Sequence, residues 1–204
     1  MTPELISQIA KAYPRGTIYE RDDAVLANEK RDARINAVLK HCGQECDLSW
    51  DVSLFDTPAY KIAITQRAHP EFKRWIWQMG NSDKIAWINH NGGPYPVFWL
   101  NISRIADYYY YYYNHWTPRG DTGYLEADFR QPANAEWLNY EMLIRDQLTK
   151  AGFQYFTDDL CTERTPFVVE SDYDSIPDDD PCWKDVGFEP PLVPSTLHEC
   201  LFGH

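Results

Sequence analysis

The chain carries none of the short signatures that announce a catalytic class. Gly-x-Ser-x-Gly, His-Glu-x-x-His, Cys-x-x-Cys and a phosphate-binding glycine loop are all missing, which removes the hydrolase-elbow, zincin, thioredoxin-like and P-loop readings. No stretch approaches the roughly 18 apolar residues of a membrane-spanning helix. Met1 to Glu20 is interrupted by Glu4, Gln8, Lys11 and Arg15, so it has no apolar secretory segment. A cytoplasmic protein without a membrane partner is expected. Basic charge is scarce, with 19 Lys and Arg against 31 Asp and Glu, a formal net charge of -12. Such a surface offers no basic groove to a phosphate backbone, so nucleic acid is not an expected partner. The five cysteines, Cys42, Cys46, Cys161, Cys182 and Cys200, are odd in number and irregular in spacing. They read as reduced thiols, with a Cys182–Cys200 bridge as the alternative for an exported chain. His41, Cys42 and Cys46 lack a second close pair of ligands, so neither metal nor cofactor is expected.

What is present supports a packed fold. The 204 residues are 44% hydrophobic and include eight Trp, 14 Tyr and nine Phe, enough for one sizeable core. Residues 3–12 read as a helix. A second follows, capped by Asp22 or Asp23, with the stripe Ile35, Val38, Leu39 and Cys42 and with Gly43 at its C-terminal end. From Leu48 the period changes to two: Leu48, Trp50, Val52 and Leu54, then Tyr60, Ile62 and Ile64 after Asp56-Thr57-Pro58, predict a hairpin. A short helix opens at Pro70 and closes at Gly80. Strands are predicted at 84–90, 96–104, 107–116 and 124–129. Pro132, the stripe Trp137, Tyr140, Ile144 and Leu148, and Gly152 mark a helix over 133–151. A final strand pair is predicted at 153–157 and 165–170.

This order predicts an α+β fold, a mostly antiparallel sheet with helices packed on one face. The chain reads as a single domain over 1–204. A body over 1–170 is followed by an acidic, Pro-rich arm over 171–204 that wraps on it through Trp183, Val186, Phe188, Leu192, Leu197 and Phe202.

Charge is concentrated in one place. Between Asp158 and Glu189 there are eleven acidic residues and two basic ones, Arg164 and Lys184. Asp158, Asp159, Asp172, Asp174, Asp178, Asp179 and Asp180, with Tyr173 and Trp183 among them, form the candidate partner-binding set. Carboxylates steer and pair with Lys or Arg, and an aromatic supplies a desolvated anchor; a solvated acidic loop is the plain alternative. The run Tyr108 to Tyr113 places three rings on each face of a strand, one set for the core and one partly wet. An exposed set would suit an aromatic ligand- or carbohydrate-binding surface. His90 or His115, brought together on neighbouring strands with Asp107 or Asp128, would make the acid–base pair of a small hydrolase-type enzyme. Asn101-Ile102-Ser103 matches a glycosylation acceptor.

The Asp-rich segment 172–180, the Tyr108–Tyr113 run and the Trp-rich body together give a chain that resembles the immunity proteins paired with bacterial polymorphic or contact-dependent toxins. The resemblance is one of general character and transfers no residue's role. It implies a non-enzymatic inhibitor whose partner is a basic protein, a cognate toxin domain acting in the cytosol.

Overall fold

The structure is a computed structural model that describes residues 1–16, 28–46, 48–53, 58–66, 81–90, 95–119, 123–129, 132, 135–170 and 192–202. In chain order the elements are α1 (Pro3–Ala12), α2 (Glu29–Glu45), β1 (Leu48–Ser53), β2 (Ala59–Gln66), α3 (Asn81–His90), β3 (Tyr95–Ser103) and β4 (Tyr108–Arg119). They continue with β5 (Gly123–Phe129), α4 (Ala135–Lys150), β6 (Gln154–Tyr155), α5 (Asp158–Cys161), β7 (Arg164–Glu170), β8 (Leu192–Thr196) and α6 (Leu197–Phe202).

Strands β1 to β5 form an antiparallel sheet in sequence order. The alternation read from the sequence sets which side chains share a face. Rows such as Trp50–Ile64–Phe98–Tyr113 and Ile62–Leu100–Tyr111 cross the strands on one side. Helices α2 and α4 close over that side. Ile35, Val38, Leu39 and Cys42 of α2 join Trp137, Ile144 and Leu148 of α4 in one buried cluster with Ile62, Phe98, Leu100 and Tyr113. Each such side chain contributes about 1.5–3 kcal/mol on burial.

The α+β class, the antiparallel sheet and the two long helices on one face are as the sequence predicts. The opposite face is covered too. There α1 and α6 bury Leu5, Ile9, Leu197, Cys200, Leu201 and Phe202 against Ala59, Phe156 and Phe167, with Tyr108 and Tyr110 packed on the cluster. A Thr196–Glu199 capping box starts α6: Thr196 Oγ1 accepts from Glu199 N–H at 3.1 Å, and the Glu199 carboxylate accepts from Thr196 N–H.

Several local expectations are corrected. Residues 84–90, predicted as a strand, lie in α3, which contacts β4 and β5. The run is short, apolar and has Ile85 and Ile88 three apart, a spacing that a helix uses equally well. Gly43 does not end α2, which continues to Glu45. Asn28 caps that helix, accepting from Arg31 N–H at 3.1 Å; Asp22 and Asp23 lie outside the described residues, as does the helix expected over 70–80.

The two late strands do not pair with each other. β6 adds to β4 in parallel, Tyr108 opposite Gln154, and β7 pairs antiparallel with β8. A parallel neighbour needs a long crossover, which β5 and α4 provide. Helix α4 ends as predicted at Gly152, whose φ of 87° and the bonds Phe153 N–H to Leu148 O and Gly152 N–H to Thr149 O make a Schellman motif.

Candidate functional site

The tyrosine run lies between the two buried clusters, with Tyr109, Tyr111 and Tyr113 on one and Tyr108 and Tyr110 on the other. Along β4, alternate residues advance roughly 7 Å, close to the roughly 6 Å between residues four apart on a helix. This match lets one face of α4 meet one face of β4 residue for residue. Tyr113 donates to Glu141 Oε2 at 2.8 Å and Tyr111 to Glu141 Oε1 at 2.5 Å, while Arg145 Nη1 stands 3.4 Å from the same Oε1. Burial first, and then the adjoining carboxylate, push the pKa of Tyr111 and Tyr113 far above the usual phenol value, so both stay donors. Tyr109 and Tyr113 are buried and Tyr111 is half-buried. On the other face Tyr110 meets the Phe202 ring edge-on at 4.7 Å and stacks with Tyr112 at 6.3 Å. The run is thus one set in the core under α2 and α4 and one half-buried set on the opposite face, where Tyr108 and Tyr110 pack on the second cluster, not an open aromatic platform.

A second polar cluster fixes the β3–β4 turn. Asp107 Oδ1 accepts from Arg31 Nε at 3.0 Å and from Arg34 Nη2 at 2.7 Å. Arg31 also donates to the Arg104 carbonyl, and Arg34 to the Ala151 carbonyl at 2.9 Å. Burial works to raise the Asp107 pKa, but the hydrogen bonds and charges of the two arginines outweigh it and hold the carboxyl below its ordinary value.

The alternative acid–base pair does not have its two histidines on neighbouring strands. His90 is the exposed last residue of α3, and no strand carries it. His115 lies in β4 opposite Pro96 and Ala127. Asp107 is eight residues back along the chain from His115, roughly 25 Å at strand rise, and its carboxylate is held by the two arginines. Asp128 is opposite Asn114. Cys42, pushed up to about 12 by burial and then by neighbouring Cys46, is an inert core thiol. Among the described residues no cluster of His, Cys, Asp or Glu is arranged to hold a metal ion, and no helix is long and apolar enough to cross a membrane. Cys200 is a buried free thiol, 3.1 Å from Ser195 Oγ; Cys182 lies outside the described residues. Asn101, in the glycosylation tripeptide, is 1% exposed, with neither amide atom bonded to a protein group. It is closed to modification in the folded chain.

Of the predicted partner-binding set, Asp158 and Asp159 are described. Both are exposed in the first turn of α5, where a helix N-terminus favours carboxylates. Asp172, Tyr173, Asp174, Asp178, Asp179, Asp180 and Trp183 lie outside the described residues. On either side of them β7 runs to Glu170 and β8 starts at Leu192, and these two residues are paired. The intervening 21 residues hold seven acidic side chains and one lysine.

Sequence reasoning did not pick out one concave feature. A cleft of about 140 Å3 lies between α2 and the β1–β2 hairpin, lined by Asp32, Ile35, Asn36, Val52, Tyr60 and Ile62. The Tyr60 hydroxyl donates to Asp32 Oδ1 at 2.6 Å. The available signal was polar Asp32 and Asn36 beside Ile35 on the apolar stripe. It becomes a site only when a hairpin from elsewhere in the sequence is laid against it. Compared with protein-family models, characterised proteins and solved structures, the chain matches none of them.

Proposed function

We propose that this protein is a non-enzymatic, cytoplasmic inhibitor of the immunity type, which binds a cationic toxin domain and excludes substrate from it. The observation that carries the reading is the uneven charge. The window from Asp158 to Glu189 holds eleven acidic and two basic residues, whereas residues 1–157 hold 19 acidic and 17 basic. A negative segment tethered at both ends of a hairpin loses less chain entropy on docking than a free tail. Its carboxylates attract a basic partner over a Debye length and then take charge-assisted bonds from Lys or Arg. Asp172 and Asp178 to Asp180 supply those bonds, Tyr173 and Trp183 supply apolar anchors, and the exposed Asp158 and Asp159 extend the field.

The test is kinetic. The protein is purified from its native host with its bound partner, and association is measured with wild type and with the triple variant Asp178→Asn, Asp179→Asn, Asp180→Asn. The variant is expected to associate roughly tenfold more slowly at low ionic strength, with the difference closing as salt is added. Recovery of a partner that is not basic, or equal rates and equal salt slopes for the two proteins, overturns the reading.

A further inference from the structure

The cleft beside α2 is separate from the acidic segment and has a chemistry of its own. At about 140 Å3 it is well below the roughly 300–1,000 Å3 of pockets that enclose a drug-sized ligand. It has room for one side chain rather than a cofactor. Three of its residues, Ile35, Val52 and Ile62, give apolar walls; Asp32, Asn36 and Tyr60 put a carboxylate, an amide and a phenol on the remainder. Asp32 and Asn36 stand one turn apart on α2, so both present polar groups along one line. Val52 is 37% exposed on β1, the outermost strand of the sheet, and keeps the mouth open at the sheet edge.

The carboxylate sets the ligand's sign. Elsewhere in the body Asp107 is paired with Arg31 and Arg34, Glu141 with Arg145, and Asp146 with Lys150. Asp32 is in none of these ion pairs. Its side-chain contact is the Tyr60 hydroxyl, which donates to one oxygen and leaves acceptor capacity for more. Arg104, from the β3–β4 turn, does not line the cleft. Its guanidinium lies over the Tyr60 ring at 5.4 Å from the centroid, so an incoming cation is held by the carboxylate and not by the ring. We infer that this cleft receives one lysine or arginine side chain of a partner protein. The ammonium or guanidinium head meets Asp32 and Asn36, and the methylene stem lies on Ile35, Val52 and Ile62. Long cationic side chains bury their stems in this way while the head is paired. The inference stands apart from the acidic-segment reading, because the cleft is built wholly from α2, β1 and β2.

Methyl NMR of the full chain tests it, reading Ile35, Val52 and Ile62 during titration with the Nα-acetyl amides of arginine, lysine and neutral citrulline. Saturable millimolar shifts with arginine or lysine, and none with citrulline, are expected. Asp32→Asn retains an acceptor for Tyr60 and so retains the fold, which an unchanged amide spectrum reports; it should weaken cation binding roughly tenfold. Val52→Trp should block the mouth and abolish the shifts. Absence of saturable shifts with both cations, equal shifts with citrulline, or cation binding unchanged in Asp32→Asn overturns the proposal. Because the acidic segment is intact throughout, failure here leaves the toxin-inhibitor reading standing, and the Asp178–Asp180 experiment fails or succeeds without touching the cleft.

Discussion

Glu141 accepts from two tyrosine hydroxyls at once, and this sharing makes it the most consequential polar side chain in the described core. Removing the carboxylate takes the acceptor from one buried and one half-buried hydroxyl, whereas removing the Tyr113 hydroxyl strands nothing, because Glu141 still has Tyr111 and Arg145. Glu141→Ala should therefore cost about 3–5 kcal/mol and Tyr113→Phe about 1–2 kcal/mol, read from urea denaturation midpoints. Equal costs would show that the carboxylate is not the common acceptor. Asp107 governs acid behaviour instead. Its pKa is depressed in the folded chain, so below the ordinary value of about 3.9 the unfolded chain binds the proton first. The stability it contributes is complete above that value and is lost as pH falls through the folded pKa. Asp107→Asn should flatten the decline of unfolding free energy below about pH 4, measured by denaturant titration at stepped pH. A decline as steep as that of wild type would remove Asp107 from the acid transition.

At the level of elements, α2 and β1 meet at Gly43. A β-carbon there would stand 2.3 Å from Trp50 Cζ3 and 3.1 Å from the Leu48 carbonyl oxygen. Alanine would gain about 1 kcal/mol of helix propensity, but it cannot be accommodated unless the indole moves. Gly43→Ala should be net destabilising by about 1–3 kcal/mol, and combining it with Trp50→Leu should recover part of the loss. Additive costs in that double variant would exclude the close approach as the cause. The same glycine shows what a sequence can and cannot say. A glycine after an apolar stripe marks either a helix end or a close contact, and the choice depends on a strand that is not its neighbour on the helix. Helix α4 was legible because its stripe, its opening proline and Gly152 all point the same way. The helix Asn81–His90 was not, because a short apolar run has no length or cap to separate it from a strand.

For the whole molecule, the α+β class and most strands were legible because periods of two and 3.6 are local signals. The pairings β6 with β4 and β7 with β8 were not, since they depend on where a crossover returns. The Glu141 cluster was hidden for the same reason: its tyrosines precede the carboxylate by 28 and 30 residues, and nothing in either segment refers to the other. The acidic run was conspicuous because charge needs no partner to be counted. The contact between Glu170 and Leu192 gives that run the character of a cassette. Beyond the join, Leu197, Cys200, Leu201 and Phe202 are wedged into the core, so a single backbone cut inside the cassette would leave both pieces clamped to the same body. Its length and lettering can be altered without touching a side chain of either buried cluster.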